Sequence, residues 1–198
     1  MGSKVKPNWP VTGSEIAEIS CNDDGWRLLS NGSRVHYSAE IAFSAAIGPN
    51  VRIAPNVTIG HHTRIFRQAW LDEAVQVRAN AVIGARAWVL HSTEVGRDAN
   101  VGAGVHIGSQ STIAEGVKIG ANTTIGRGAL IGPYAVVGDN ATIDSDVSIA
   151  GKTQIAGRSV IGRGTVIGDP LSDYLVGSGR HYTRALYTGH GPQNAATR

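Results

Sequence analysis

The sequence predicts an all-β solenoid, a chain wound into stacked three-sided coils, and three observations carry that prediction. First, one apolar position recurs every six residues from Val35 to Ile167 without a slip. All twenty-three residues of the series are Ile, Val or Leu, from Val35, Ile41 and Ile47 through Leu71, Val89 and Ile107 to Ile155, Ile161 and Ile167. Second, four residues after each comes a small or β-branched residue such as Ala45, Val51, Thr63, Ala69, Val105 or Thr123. Third, Gly or Ala directly follows the apolar residue in most repeats, as in Ile47-Gly48, Ile59-Gly60 and Ile107-Gly108. A fixed period this short reads as one strand plus one turn. Strand alternation points positions i and i+4 inward and i+1 and i+5 outward, leaving i+2 and i+3 for the bend. Three units close a triangular coil of eighteen residues, and coils stack about 4.8 Å apart. The series supplies nearly eight coils, a prism roughly 35 Å tall.

The pattern [LIV]-[GA]-x-x-[STAV]-x over these residues resembles the hexapeptide-repeat superfamily of left-handed parallel β-helices, many of them acyltransferases. It covers about two thirds of the chain. The resemblance implies the left hand of the coil, against the general preference for right-handed crossovers. It also implies a homotrimer and, for an enzyme, acetyl-CoA or another acyl-CoA as co-substrate.

In chain order, residues 1–34 read as an arm and a capping hairpin. Two apolar runs, Gly25 to Leu29 and Arg34 to Tyr37, flank Ser30-Asn31-Gly32-Ser33, and Asn-Gly tolerates the positive φ of a tight turn. Such a hairpin would shield the open end of the first coil. The β-helix is expected over 35–172. Beyond Gly168-Asp169-Pro170, where proline removes a ladder donor, 173–198 reads as a second hairpin and tail.

Composition narrows the functional classes. Net charge is +3, with the basic residues scattered and without interleaved aromatics, which argues against nucleic-acid binding. No run of apolar residues is long enough to span a membrane. One cysteine, Cys21, excludes an internal disulfide and a cysteine metal cluster and suits a cytoplasmic protein.

Counting in eighteens stacks Arg52, Trp70, Trp88, His106 and Thr124 as one outward column, with Leu90 in the column beside it. Two tryptophans one coil apart are costly to leave wet, at about 25 cal/mol per Å² of apolar surface. This face is therefore expected to meet another subunit. The same arithmetic places His91 above Glu73 on one corner, with Gln76 and Glu94 close by, an imidazole with a carboxylate behind it for acid–base work. A second candidate base is His61 in Ile59-Gly60-His61-His62. That turn resembles the Ile-Ala-His-Asp-type turn of sugar-nucleotide acyltransferases, where the histidine deprotonates the acceptor. Here His62 stands where that family carries an aspartate, so the orienting carboxylate is missing.

Two function classes follow. One is an acyltransferase acting at a subunit boundary, with backbone N–H groups steadying the oxyanion. The other is a non-catalytic solenoid that binds neighbours through its tryptophan face and terminal arms. It is favoured by a register with no inserted loop to cover a cleft. A γ-carbonic-anhydrase-like zinc site is a distant third, since His91 and His106 are fifteen apart and no His-x4-His spacing occurs; no metal is expected.

Overall fold

The computed structural model describes residues 10–168, Glu18 excepted. From β4 (Glu40–Ile41) and β5 (Ala46–Ile47) to β25 (Val166–Ile167), a two-residue strand occurs every six residues. Each strand pairs in parallel with the strand eighteen residues away, so that Ile53, Leu71, Val89, Ile107 and Ile125 stand directly over one another. Three sheets result, forming a left-handed β-helix of seven complete coils with two strands to spare. The first face carries Arg52, Trp70 and Trp88 outward, the second Thr58, Gln76 and Glu94, and the third Arg64, Val82 and Asn100.

The corners explain how so short a repeat turns so sharply. The fourth residue of every unit from Asn50 to Gly164 sits at positive φ, between 54° and 68°, and most of these residues are not glycine. Left-handed backbone costs roughly 1–2 kcal/mol for a residue with a Cβ, less for Asn or Asp. The ladder offsets that cost. From Gln68 upward the N–H at each such corner donates to a corner carbonyl one coil below, as in Gln68 to Pro49 (2.9 Å), Ala74 to Pro55 (3.0 Å) and Arg86 to Arg67 (3.0 Å). Within the prism the sixfold-spaced Ile, Val and Leu form one continuous buried column. The polar inward residues Thr63, Thr93, Ser111 and Thr123 are also buried. Their hydroxyls donate to the carbonyls of Arg78, Gly108, Gly126 and Gly138 at 2.9–3.1 Å, so no inward hydroxyl of this set is left unpaired.

The lower end is closed by two antiparallel additions. β1 (Val11–Thr12) pairs with Ala46–Ile47 on the third face, and the short helix α1 (Gly13–Ala17) that follows sets Ile16 into the open end of the core. Glu15 caps this helix: its carboxylate accepts from the Thr12 N–H (2.7 Å) and the Thr12 hydroxyl (2.8 Å). On the first face β2 (Trp26–Leu28) pairs with β3 (Arg34–His36), joined through Asn31-Gly32. Asn31 is buried, and its side-chain N–H groups donate to the carbonyls of Ile47 and Gly48. The second face ends at β4 without an added strand among the described residues. The expected hairpin over 173–198, with His181 and His190, lies outside the described residues. No helix among the described residues is long and apolar enough to cross a membrane.

Two outcomes test this architecture. Truncating Ile107 in the fully buried column (Ile107→Ala) should cost ~2–5 kcal/mol by urea unfolding, with the spread set by how far the coil collapses. Hydrogen bonds from the Thr12 N–H and then its hydroxyl hold the Glu15 carboxyl below its ordinary pKa. A depressed carboxylate contributes while ionised, so the cap is present above the ordinary Glu value and is lost as pH falls through the lowered one. The protection factor of the Thr12 amide should fall over that acid window and be pH-independent in Glu15→Gln.

Candidate catalytic corner and the aromatic face

His61 and His62 form the corner between the second and third faces, with His62 in the left-handed position (φ 58°). One coil below stand Phe43 and Ser44. This lowest corner departs from the regular pattern, because Ser44 is not at positive φ. The Phe43 carbonyl accepts instead from the end-cap residue Ser14 (3.3 Å). The His62 N–H is taken by the Ser44 hydroxyl at 3.1 Å. The same hydroxyl oxygen lies 3.1 Å from His61 Nδ1, and the Phe43 ring meets the imidazole edge-on at 5.1 Å and 74°. A hydroxyl has two acceptor lone pairs, so Ser44 can accept both the His62 N–H and a His61 Nδ1–H. In that tautomer Nε2 carries the free lone pair, the form a general base requires, and the residue is exposed. Ser44 on the coil beneath thus gives His61 Nδ1 a polar partner. Counting back eighteen from His61 and His62 would have found both Phe43 and Ser44 in the sequence.

His91 and Glu73 do share a corner of consecutive coils, since the Ser92 N–H donates to the Glu73 carbonyl (3.0 Å) and Gln110 to that of His91 (3.0 Å). Both side chains are exposed. Neither makes a hydrogen bond or ion pair among the described residues, because nothing walls the corner and water solvates each group separately. Gln76 and Glu94 are direct cross-strand partners on the second face. The Glu94 carboxylate turns to Arg78 Nε at 2.8 Å, a solvent-exposed ion pair of small worth. Among the described residues no three His, Cys, Asp or Glu converge as metal ligands.

The tryptophan column is more continuous than the sixfold series alone implies. Trp70 meets Trp88 at 5.4 Å and 62°, and Trp88 meets His106 at 4.6 Å and 42°. Below them the Arg52 guanidinium lies 5.2 Å from the Trp70 ring and 5.4 Å from Trp26, with Arg34 also 5.6 Å from Trp26. The rings therefore cover one another and leave less for a partner to bury: Trp70 is half-buried and Trp88 is 41% exposed. Leu90 beside them is half-buried. Arginines that look scattered along the chain are here interleaved with aromatics, because the hairpin folds Trp26 back beside Arg52. Trp70 Nε1 is buried and has no acceptor among the described residues.

Comparison with known proteins agrees with this coil. A family model described as bacterial transferase hexapeptide (six repeats) matches residues 98–133 and 122–157. A second, described as hexapeptide repeat of succinyl-transferase, matches 77–109. No curated protein sequence matches the chain. Among solved structures, a mutant of perosamine N-acetyltransferase from Caulobacter crescentus, in complex with CoA and GDP-perosamine, is similar at 23% identity. That likeness has a TM-score of 0.45 and covers 67% of this chain and 56% of the other. A hexapeptide transferase family protein from Anaplasma phagocytophilum is 18% identical, with TM-score 0.44 and coverage of 67% and 76%. A UDP-N-acetylglucosamine acyltransferase from Bacteroides fragilis is 18% identical, with TM-score 0.43 and coverage of 67% and 70%. This chain thus spans little more than half the length of the first of these proteins.

A double-mutant cycle separates the two polar pairs. Glu73→Ala and His91→Ala should add independently, with a coupling near zero. Arg78→Ala and Glu94→Ala should couple by ~0.2–1 kcal/mol at low salt, falling as salt rises.

Proposed function

We propose that this chain, whose coil matches hexapeptide-repeat family models over residues 77–157, transfers an acyl group from a CoA thioester to an amine or hydroxyl, with His61 as general base. The observation that supports this most directly is the held imidazole, with Nδ1 at Ser44 Oγ and its ring against Phe43, on an exposed residue. Nε2 accepts the proton of the acceptor as its lone pair attacks the thioester carbonyl. The C=O electrons move onto oxygen, where backbone N–H groups steady the oxyanion. Collapse expels the CoA thiolate, and the imidazolium returns the proton to it. Ser44 keeps the tautomer and Phe43 the ring plane, the part a neighbouring carboxylate plays elsewhere. His91 with Glu73 is the weaker pair, since it has no contact that would orient the imidazole. A corner this exposed excludes water only when something covers it, which favours a homotrimer whose neighbouring subunit closes the site.

One observation favours a second reading, a non-catalytic assembly module that binds neighbours through its tryptophan face and terminal arms. Among the described residues no inserted loop interrupts the strands from Glu40 to Ile167. Without a loop the cleft depends wholly on the neighbour.

Steady-state assays with acetyl-CoA and a panel of amines and hydroxyls distinguish the two. His61→Ala should lower kcat by ~10²–10⁴, the range for loss of a general base. Ser44→Ala should lower kcat roughly tenfold with KM retained, because it loosens the base and not the substrate. Full activity in His61→Ala would overturn the assignment. Inertness with every acyl donor, together with self-association that fails in Trp88→Ala, would favour the module.

A further inference from the structure

The corner that carries His61 rests on one whose central peptide is turned over. From Asn50 upward the third residue of each four-residue corner is at positive φ, as in a type II turn. The carbonyl of the second residue then faces the coil above: Pro49, Pro55 and Arg67 accept from Gln68, Ala74 and Arg86. The corner from Ala42 to Ala45 is also a closed turn, its Ala45 N–H donating to the Ala42 carbonyl (2.9 Å). Its third residue, Ser44, is not at positive φ. Turns of types I and II differ in the sense of their central peptide. The Phe43 carbonyl accordingly meets the end cap and not His62.

The cap grips this corner from below at two points. The Ser14 N–H donates to the Phe43 carbonyl (3.3 Å) and the Gly13 N–H to the Ala45 carbonyl (3.1 Å), so consecutive donors at the start of α1 bracket Ser44. The approach is closer than a side chain permits. A Cβ on Gly13 would overlap the Ala42 carbonyl oxygen and stand 3.0 Å from Phe43 Cα. On the upper side of the same corner, the Ser44 hydroxyl accepts the His62 N–H and meets His61 Nδ1, both at 3.1 Å. The two senses of the peptide exclude one another. Turned up, the Phe43 carbonyl would take the His62 N–H as Pro49 takes that of Gln68, and Ser44 would adopt the left-handed φ of its counterparts. The hydroxyl would then lose its place beneath His61.

We infer that Gly13 and Ser14 are positioning residues for His61: by holding the Phe43–Ser44 peptide turned down, they keep Ser44 Oγ on Nδ1 and so fix the imidazole tautomer. The segment that closes the core thereby also decides which ring nitrogen carries the lone pair. The effect on the tautomer follows from the geometry of the corner. Its effect on rate rests on the acyl-transfer reading.

Nitrogen-15 NMR of the imidazoles in the full chain, at about pH 9 and so above the ordinary histidine range, reads the tautomer directly. The parent should carry the His61 proton on Nδ1. Gly13→Ala and Ser14→Pro should each move it toward Nε2, the form that free histidine prefers, as Ser44→Ala does. Proline is tolerated in the first turn of a helix, so Ser14→Pro removes the N–H with α1 in place. Ser14→Ala keeps that N–H and should match the parent. Ile107→Ala weakens the coil far from the cap and should leave the tautomer unchanged, which separates positioning from general softening. In assays with acetyl-CoA, Gly13→Ala should lower kcat roughly tenfold with KM retained, and should cost nothing further in a Ser44→Ala background. A tautomer shift with the rate unaltered would uphold the positioning and overturn His61 as the base. The parental tautomer in both Gly13→Ala and Ser14→Pro, or an equal shift in Ile107→Ala, would overturn the inference itself.

Discussion

The structure depends on the corner residue held at positive φ once in every six. That single left-handed residue turns the chain through a third of a circle with no extra residues. Only then do positions eighteen apart fall into register and exchange hydrogen bonds. It is also a strained choice, borne by His62, Gln68, Arg86 and Tyr134 as well as by asparagine and glycine. The inter-coil hydrogen bond beneath each corner and the apolar column behind it hold it in place. A corner that relaxed would lose both, because the strand after it would no longer lie over its partner.

At the bottom of the stack the constraint gives way, and the candidate chemistry sits there. The lowest corners, at Ser38 and Ser44, are not left-handed. Their hydroxyls stand in for the ladder carbonyl, accepting from Asn56 (3.0 Å) and His62 (3.1 Å). At Ser44 this substitution leaves a polar oxygen beside His61 Nδ1. The end cap contributes as well, since Ser14 occupies the Phe43 carbonyl that the His62 N–H would otherwise reach. The oriented imidazole is thus a by-product of how the solenoid is terminated. The foot of the aromatic column has the same origin, with Trp26 of the hairpin bracketing Arg52 against Trp70.

What could be read from the chain follows the same division. Wherever the period governs, the reading is correct to the residue: Trp70 lies under Trp88, Gln76 under Glu94, and the Ile and Val series fills the core. The corner signal was also present, as asparagine at positions 50, 56, 80, 122 and 140, and it marks the left-handed residue directly. The direction of an exposed side chain is set by water and neighbours, not by periodicity, so stacking His91 over Glu73 did not imply a bond between them. Trp26 lies outside the eighteen-residue series and reaches Arg52 only through an antiparallel turn, so its place in the column is not legible from spacing. Ser44 was within reach of the count but not its role, which depends on a corner conformation that only the lowest coil adopts.

Because every coil touches only the coils on either side, the height of the prism is a matter of copy number. Adding or deleting eighteen residues above Ile125 would lengthen or shorten the shaft in steps of about 4.8 Å. It would leave the Phe43–His61 corner and the indole column undisturbed at the base. Reach and the candidate site are in this sense separately adjustable: the molecule is a ruler whose candidate functional groups cluster at its zero mark.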